Sequence, residues 1–503
     1  MIRLLFIFFL IPFLLFGQQD HPRYSKTVEN KISKVENHLN GWVKEINSSD
    51  WTLKERMSYY HVNGVSIAVI HHFKLDWIRG YGWADKEEQK PVTVHTAFQA
   101  GSISKTVNAL ALLKLVEEGK LQLDSDINLQ LKTWKFPYDS ISQGNPITLR
   151  QLLSHRAGLN MSGFAGYSRE DELPNIYQIL DGLPPATSSP VRSRLVPGKE
   201  FRYSGGGVMI SQLIAMDVCA MSYEKIVEEK IFNPLKMKNS FFYSDSLTKA
   251  AKATGYYWSG EELPKKYRVY PELAAAGLWS TPEDLAKLLI GFQKSYTGQP
   301  QKLFGKMTAH EAVLLDPGTD KERLKSALGV FLKKKGGSTY MTHDGKVEGF
   351  LCLYFADLEK GNGVVIMNNS NDGSGLNLEI ANSVAKVYGW KDFNRPEERK
   401  TVDLNSQDLK AYEGVYNNGK DHITITTDHH TLMFSSNYSF YSRPQVISFL
   451  SPEQFYVYEE EFFTDSFGYK NQYFVKRNKD GFISEIIRHV KGESDKIFMR
   501  QLN

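Results

Sequence analysis

The sequence predicts an α+β protein: an α/β sandwich beside an all-helical lobe, followed by a small C-terminal antiparallel β-barrel-like domain. Three observations predict it. Helical and strand patterns alternate from about residue 20 to residue 395. A charged stretch without apolar periodicity, KDFNRPEERKTVDLNSQ, then follows Trp390. From Leu409 onward the pattern changes to short alternating strands. We place a main domain at 18–395, a linker at 396–405 and the β domain at 406–503, a division that a chain of 503 residues accommodates.

In the main domain, GVSIAVI (64–70) and LDWIRGYGWA (75–84) read as the two strands of a hairpin, with His71-His72 at its turn. The stretch SISKTVNALALLKLVEEGK, starting at Ser102, reads as a helix. Val107, Leu110, Ala111 and Leu115 recur at helical spacing, and Gly119 suits a C-cap. Thr281-Pro282-Glu283-Asp284 is a helix start, with a hydroxyl cap, proline in the first turn and acids near the positive end of the dipole. FLCLYFAD (350–357) and GVVIMNN (363–369) are apolar strands, and LEIANSVAKVYGW (378–390) is a closing helix. In the C-terminal part, HITITT, TLMFSS, QFYVYE, YFVKR and FISEIIRH are strands, and Asn478-Lys479-Asp480-Gly481 is a turn joining two of them. Its aromatic residues Phe440, Tyr441, Phe455, Tyr456, Tyr458, Phe462 and Phe463 read as barrel core.

Composition narrows the function. A net charge of +4, dispersed along the chain, argues against nucleic acid as a partner. Cys219 and Cys352 each lie in an apolar run and read as buried, unpaired thiols. No H-E-x-x-H or C-x-x-C occurs, so neither a metal nor another cofactor is expected. At the N-terminus, Arg3 precedes LLFIFFLIPFLLFG, which is short for a bilayer span and interrupted by Pro12. Residues 1–17 therefore read as an export signal, with an uncleaved anchor as the alternative. The expected location is periplasmic or extracellular, near the cell wall or membrane surface.

The chemistry begins at Ser102-Ile103-Ser104-Lys105. A serine hydroxyl is a poor nucleophile until a base accepts its proton. Three residues apart on a helix, Ser102 and Lys105 share one face, and Ser102 falls at the helix tip, where unpaired N–H groups favour developing negative charge. A lysine neutralised by burial is a competent base. Taken alone, S-x-x-K is a weak pattern. His155 reads as a structural histidine in a turn, and His422, His429 and His430 as surface residues of the β domain.

Five blocks give that pattern a context: GSISKTVNALALLKLVEEGKLQLDSDI (101–127), ITLRQLLSHRAGL (147–159), PGKEFRYSGGG (197–207), AAAGLWSTPEDLAKLL (274–289) and THDGKVEGF (342–350). In order and spacing, over roughly residues 30 to 390, they resemble the serine hydrolases of the class C β-lactamase and penicillin-binding protein superfamily. LKAYEGVY (409–416) resembles the opening of the lipocalin-like domains appended to such hydrolases.

The resemblance implies roles. Ser102 is the expected acylated nucleophile and Lys105 its proton partner. Tyr203 is the expected base or proton relay to the leaving group, with its pKa lowered by the lysine charge. His343 and Gly345 match the strand element that binds substrate. Gly205, in the tyrosine motif, is expected with them among the substrate-binding or oxyanion residues. The N–H groups of Ser102 and Lys346 form the expected oxyanion hole. Two departures weaken the case for penicillins. Tyr203-Ser204-Gly205 lacks the asparagine of Tyr-x-Asn, and His343-Asp344-Gly345 replaces Lys-Thr-Gly, removing a fixed positive charge and adding a negative one. The expected activity is hydrolysis of an ester or amide in a small-molecule or peptide substrate. A binding or regulatory protein that kept the fold with little turnover is the alternative. The sequence leaves the oligomeric state open.

Overall fold

A strand that is apolar at every position has to be covered on both faces. GVSIAVI comes close to that condition, Ser66 being its one polar residue. In the computed structural model, which describes residues 22–46, 48–242, 251–315, 325–428, 431–438, 443–458, 471–490 and 493–501, strand β1 (Gly64–His71) sends Val65, Ile67 and Val69 into one apolar cluster and Ala68 and Ile70 into another. It lies near the middle of an eight-stranded sheet whose other members are β2 (Lys74–Asp85), β3 (Lys90–Pro91), β4 (Lys325–Ser326), β5 (Phe331–Lys335), β6 (Ser338–Val347), β7 (Phe350–Asp357) and β8 (Gly363–Asn368). The spatial order is β3-β2-β1-β8-β7-β6-β5-β4, and every neighbouring pair is antiparallel. The β1–β2 turn places His72 and Phe73 at positive φ, as the hairpin reading requires. The expected export segment, 1–17, lies outside the described residues.

Helices α1 (Lys26–Asn37) and α5 (Ser374–Val387) cover one face of the sheet. Helix α5 starts four residues before the expected Leu378, because Gly375 lets its first turn rest against the Tyr60 ring: a Cβ there would come 2.3 Å from the phenol oxygen. The other face carries α2 (Ile103–Glu117), α3 (Gly205–Cys219), α4 (Pro282–Thr297) and the helical lobe. Helix α4 begins as the sequence predicts, with the Thr281 hydroxyl accepting the Asp284 N–H, and Gly298 at φ +75° closes it. Helix α2 is buried on nearly all sides, twelve of its fifteen residues being inaccessible. A one-faced amphipathic helix does not describe it. Its polar residues are therefore bonded internally, Thr106 to the Gly329 carbonyl and Asn108 to Ser211.

The C-terminal part is a closed antiparallel barrel of eight strands: β9 (Gly414–Asn417), β10 (His422–Asp428), β11 (Thr431–Ser436), β12 (Gln445–Ser451), β13 (Gln454–Val457), β14 (Asn471–Arg477), β15 (Ile483–Val490) and β16 (Lys496–Arg500), closed by β9 pairing with β16. Asn478 organises the expected turn by accepting the N–H groups of Asp480 and Phe482. Phe455 and Val457 fill the interior as two-residue alternation requires. For the same reason Tyr456 and Tyr458 point outward, against the barrel-core expectation. They cover Trp42 and Val43 of the main domain. Tyr458 stacks on Trp42 at 4.5 Å and donates to Glu379 at 3.0 Å. Of the other expected core aromatics, Phe440, Tyr441, Phe462 and Phe463 lie outside the described residues, as do His429 and His430. His422 is exposed.

Two buried ion pairs fasten the barrel side of the main domain. Glu379 accepts both Arg56 Nε (2.8 Å) and Nη2 (2.7 Å), with the Tyr60 and Tyr458 phenols completing its shell. Arg443 of the barrel pairs with Asp372 in the turn between β8 and α5. The charged stretch read as a linker contains a short strand, Glu397–Arg399, which pairs in parallel with Val43–Glu45. Both cysteines are unpaired, Cys352 buried and Cys219 half-buried.

Candidate active site

Ser102 occupies the N-cap position of α2, yet its hydroxyl caps nothing. Its Oγ faces two other groups. Lys105 Nζ donates to it at 3.0 Å, and the Tyr203 phenol shares a hydrogen bond with it. Lys105 Nζ also donates to the Ala275 carbonyl at 2.6 Å and lies 5.1 Å from the centre of the Tyr203 ring. The hydroxyl, amine and phenol expected to meet at the helix tip do meet there.

Burial sets their charges. Lys105 is inaccessible, and burial pulls its ammonium pKa down to about 7, opposed only by the negative charge of Asp344. The amine is thus close to half neutral at neutral pH. Tyr203 corrects an expectation. Burial raises its phenol well above the usual range, the Ser102 bond lowers it less, and Asp344 raises it further. Lys105 does not depress it. The phenol stays protonated, which suits a proton donor or relay and not a free base.

Tyr203 is fixed from several sides. The next residue, Ser204, caps α3 by accepting the Gly207 N–H at 2.9 Å. His155 packs its ring 4.3 Å from the tyrosine ring, accepts the Ser204 N–H on Nδ1 at 3.2 Å, and accepts the Arg202 N–H on its carbonyl at 2.7 Å. Burial and the Lys105 charge keep this imidazole well below its ordinary pKa, hence neutral. His155, which the sequence reads as a structural histidine, forms the seat of the tyrosine. Phe331 stacks at 6.4 Å on Tyr203.

Strand β6 forms the opposite wall. Strand β5 pairs with it only over Ser338–Thr342, so from His343 onward that edge is open. Two glycines bring the edge against the loop before Ser102. A Cβ on Gly345 would stand 2.0 Å from the Ala100 carbonyl oxygen, and one on Gly101, at φ +50°, would stand 2.8 Å from Lys346 N. The backbone of Lys346 is thereby set beside Gly101-Ser102. His343 is buried and neutral, its pKa lowered by desolvation, with Nδ1 2.6 Å from the Asp344 carbonyl and Nε2 without a partner. Asp344 and Lys346 are exposed. Gly205 is buried as the first residue of α3, its vacant Cβ position 3.0 Å from the Phe164 ring, so it is a packing position and not part of the cleft surface. Sequence reading missed the Ala275 carbonyl and Gly101. Gly101 stands in the quoted block, but its positive φ is a property of the folded loop.

The Beta-lactamase family model matches residues 50–387. The chain belongs to the Beta-lactamase family. This Beta-lactamase-family chain is 28% identical over 233 residues to Protein flp of Staphylococcus aureus (strain MRSA252), covering 46% of this chain and 44% of that protein. It is 26% identical over 257 residues to the Teichoic acid D-alanine hydrolase of the same strain, covering 50% of this chain and 60% of that one. The matches thus span about half the length of these curated relatives. Its fold is similar to the octameric penicillin-binding protein homologue from Pyrococcus abyssi, with a TM-score of 0.59, 22% identity, and coverage of 89% and 98%. It is also similar to the D-amino acid amidase from Ochrobactrum anthropi SV3, with a TM-score of 0.56, 21% identity, and coverage of 72% and 99%.

Proposed function

We propose that this chain is an exported serine hydrolase that cleaves esters or amides of D-amino acids through an acyl-enzyme on Ser102. The observation that carries the reading is the meeting of Lys105 Nζ and the Tyr203 phenol on one serine oxygen. The names of two relatives, a D-alanine hydrolase and a D-amino acid amidase, support the acyl group. The departures from Tyr-x-Asn and Lys-Thr-Gly favour such substrates over penicillins.

In the first half-reaction the neutral Lys105 amine takes the Ser102 proton as Oγ bonds to the substrate carbonyl carbon. The carbonyl oxygen, now negative, is held by the N–H groups of Ser102 and Lys346. The bond to the leaving group then breaks. Tyr203 gives that group its proton and is reprotonated by the Lys105 ammonium. Water repeats the sequence in reverse, releasing the acid and restoring Ser102.

The test is covalent labelling with a fluorophosphonate, read by intact-protein mass spectrometry. One adduct on the wild type and none on Ser102→Ala is expected. An unlabelled wild type, or equal labelling of both, removes the reading in favour of a binding protein.

A further inference from the structure

The barrel grips the main domain at a point that leads to the nucleophile. Arg443, just before β12, donates through Nε to the Asp372 carboxylate, and both side chains are buried. Asp372 lies in the turn between β8 and α5. The residue before it, Asn371, reaches the hairpin turn between β6 and β7, where its Oδ1 accepts the Gly349 N–H at 2.6 Å. Gly349, at φ +81°, is tightly seated: a Cβ there would come 2.8 Å from the Gly255 Cα. Three residues back along β6 stands Lys346, whose backbone lies against Gly101, beside Ser102. A run of direct contacts thus joins a barrel arginine, through Asp372, Asn371 and Gly349, to the strand that carries an expected oxyanion donor. The hairpin turn has a second anchor on its other residue: the Tyr270 phenol oxygen accepts the Glu348 N–H at 3.2 Å, and Arg268 pairs with the Glu348 carboxylate at 2.9 Å.

From this geometry we infer that Arg443 is a positioning residue for the Ser102 site: by pairing with Asp372 it holds Asn371 on Gly349, and so sets how closely β6 approaches the loop before Ser102. This rests on the hydrolase reading above and names what the barrel contributes to it. A buried carboxylate that loses its guanidinium partner is costly and moves toward water. Asn371, its neighbour in the turn, moves with it. Tyr270 and Arg268 still hold Glu348, so β6 shifts slightly and does not detach. The negative charge that the Lys346 N–H is placed to hold develops only in the transition state, so a small shift acts on kcat more than on KM. Loss of one oxyanion donor costs about 10²–10³-fold, and a donor displaced but still present should cost less, about tenfold.

The experiment measures kcat and KM for D-alanine methyl ester, together with Ki for the boronic acid analogue of D-alanine, on the full chain. Ser102 Oγ bonds to boron, its proton passes to Lys105, and the tetrahedral adduct puts a boron-bound oxygen where the oxyanion would sit. Partial unfolding lowers kcat but leaves Ki unchanged, so Ki reads positioning alone. Arg443→Met and Asn371→Ala should each lower kcat about tenfold, raise Ki by a similar factor and leave KM within about twofold. The double variant should lose about as much as either single one, because both cut one chain of contacts. Arg443→Lys, which keeps the charge and is the variant to use if Arg443→Met does not fold, should show the same pattern with a smaller loss, about threefold. Glu379→Gln weakens the other ion pair beside the barrel without touching this turn, and should leave kcat and Ki as in the wild type. An unchanged Ki in the Arg443 variants, losses that multiply in the double variant, or an equal change in Glu379→Gln overturns the inference and leaves the hydrolase reading standing. A wild type that neither hydrolyses the ester nor binds the boronic acid overturns both.

Discussion

Lys105 Nζ stands 3.0 Å from Ser102 Oγ and is held there by the Ala275 carbonyl, with no carboxylate among the described residues bonded to it. That absence of a bonded counter-ion lets burial lower the lysine to about 7. In the proposed mechanism the base must be neutral to accept the serine proton. Acylation of Ser102 should therefore rise with pH and reach half its maximum near pH 7, and a pH profile of kcat/KM checks this.

The same shift acts on stability. The folded lysine titrates near 7 and the unfolded one near 10.5, so the unfolded chain binds the extra proton between these values. Stability should rise with pH across that window, the cost being full below about 7 and absent above 10.5. Lys105→Met removes the cost. It should abolish hydrolysis while stabilising the fold at pH 6 by about 1–2 kcal/mol, measured by denaturant unfolding.

Tyr203→Phe keeps the ring packed against His155 and Phe331 and deletes the hydroxyl proposed as proton donor. The loss in kcat/KM should be about 10²–10⁴-fold for amides and alkyl esters, whose leaving groups need a proton. It should be much smaller for p-nitrophenyl esters, whose leaving group does not. Equal losses on both classes would exclude the donor role.

Gly345→Ala should leave the protein folded and nearly inactive. The new methyl would stand 2.0 Å from the Ala100 oxygen and push β6 away from the loop before Ser102. A displacement of about 1 Å at a catalytic edge costs on the order of 100-fold. Circular dichroism and kcat/KM measured together check it.

Glu379→Ala leaves the Arg56 guanidinium buried without its carboxylate and removes the acceptor of the Tyr458 phenol. Unfolding in denaturant should show a loss of about 3–5 kcal/mol. Glu379→Gln should lose less, because an amide oxygen still accepts.

Much of this was legible beforehand. The S-x-x-K spacing placed Ser102 and Lys105 on one face whatever surrounded them, because helical geometry is local. The Thr281 cap, the Asn478–Gly481 turn and the alternation of the barrel strands were local as well. The direction of the Tyr203 shift was not legible, because it depends on how the phenol is buried among rings from distant segments. The outward face of Tyr456 and Tyr458 was not legible either. Two-residue alternation says that neighbours point oppositely, but which side meets another domain is settled by docking.

The sequence by itself determined the local elements and which residue types stand at the candidate site, since periodicity, caps and short spacings act within a few residues. Only the tertiary structure decided how the groups are charged and how closely they approach. The Lys105 amine near 7, the neutral His343, the exposed Asp344 and the contact of Gly345 with Ala100 all arise where segments far apart in the chain exclude water from one another.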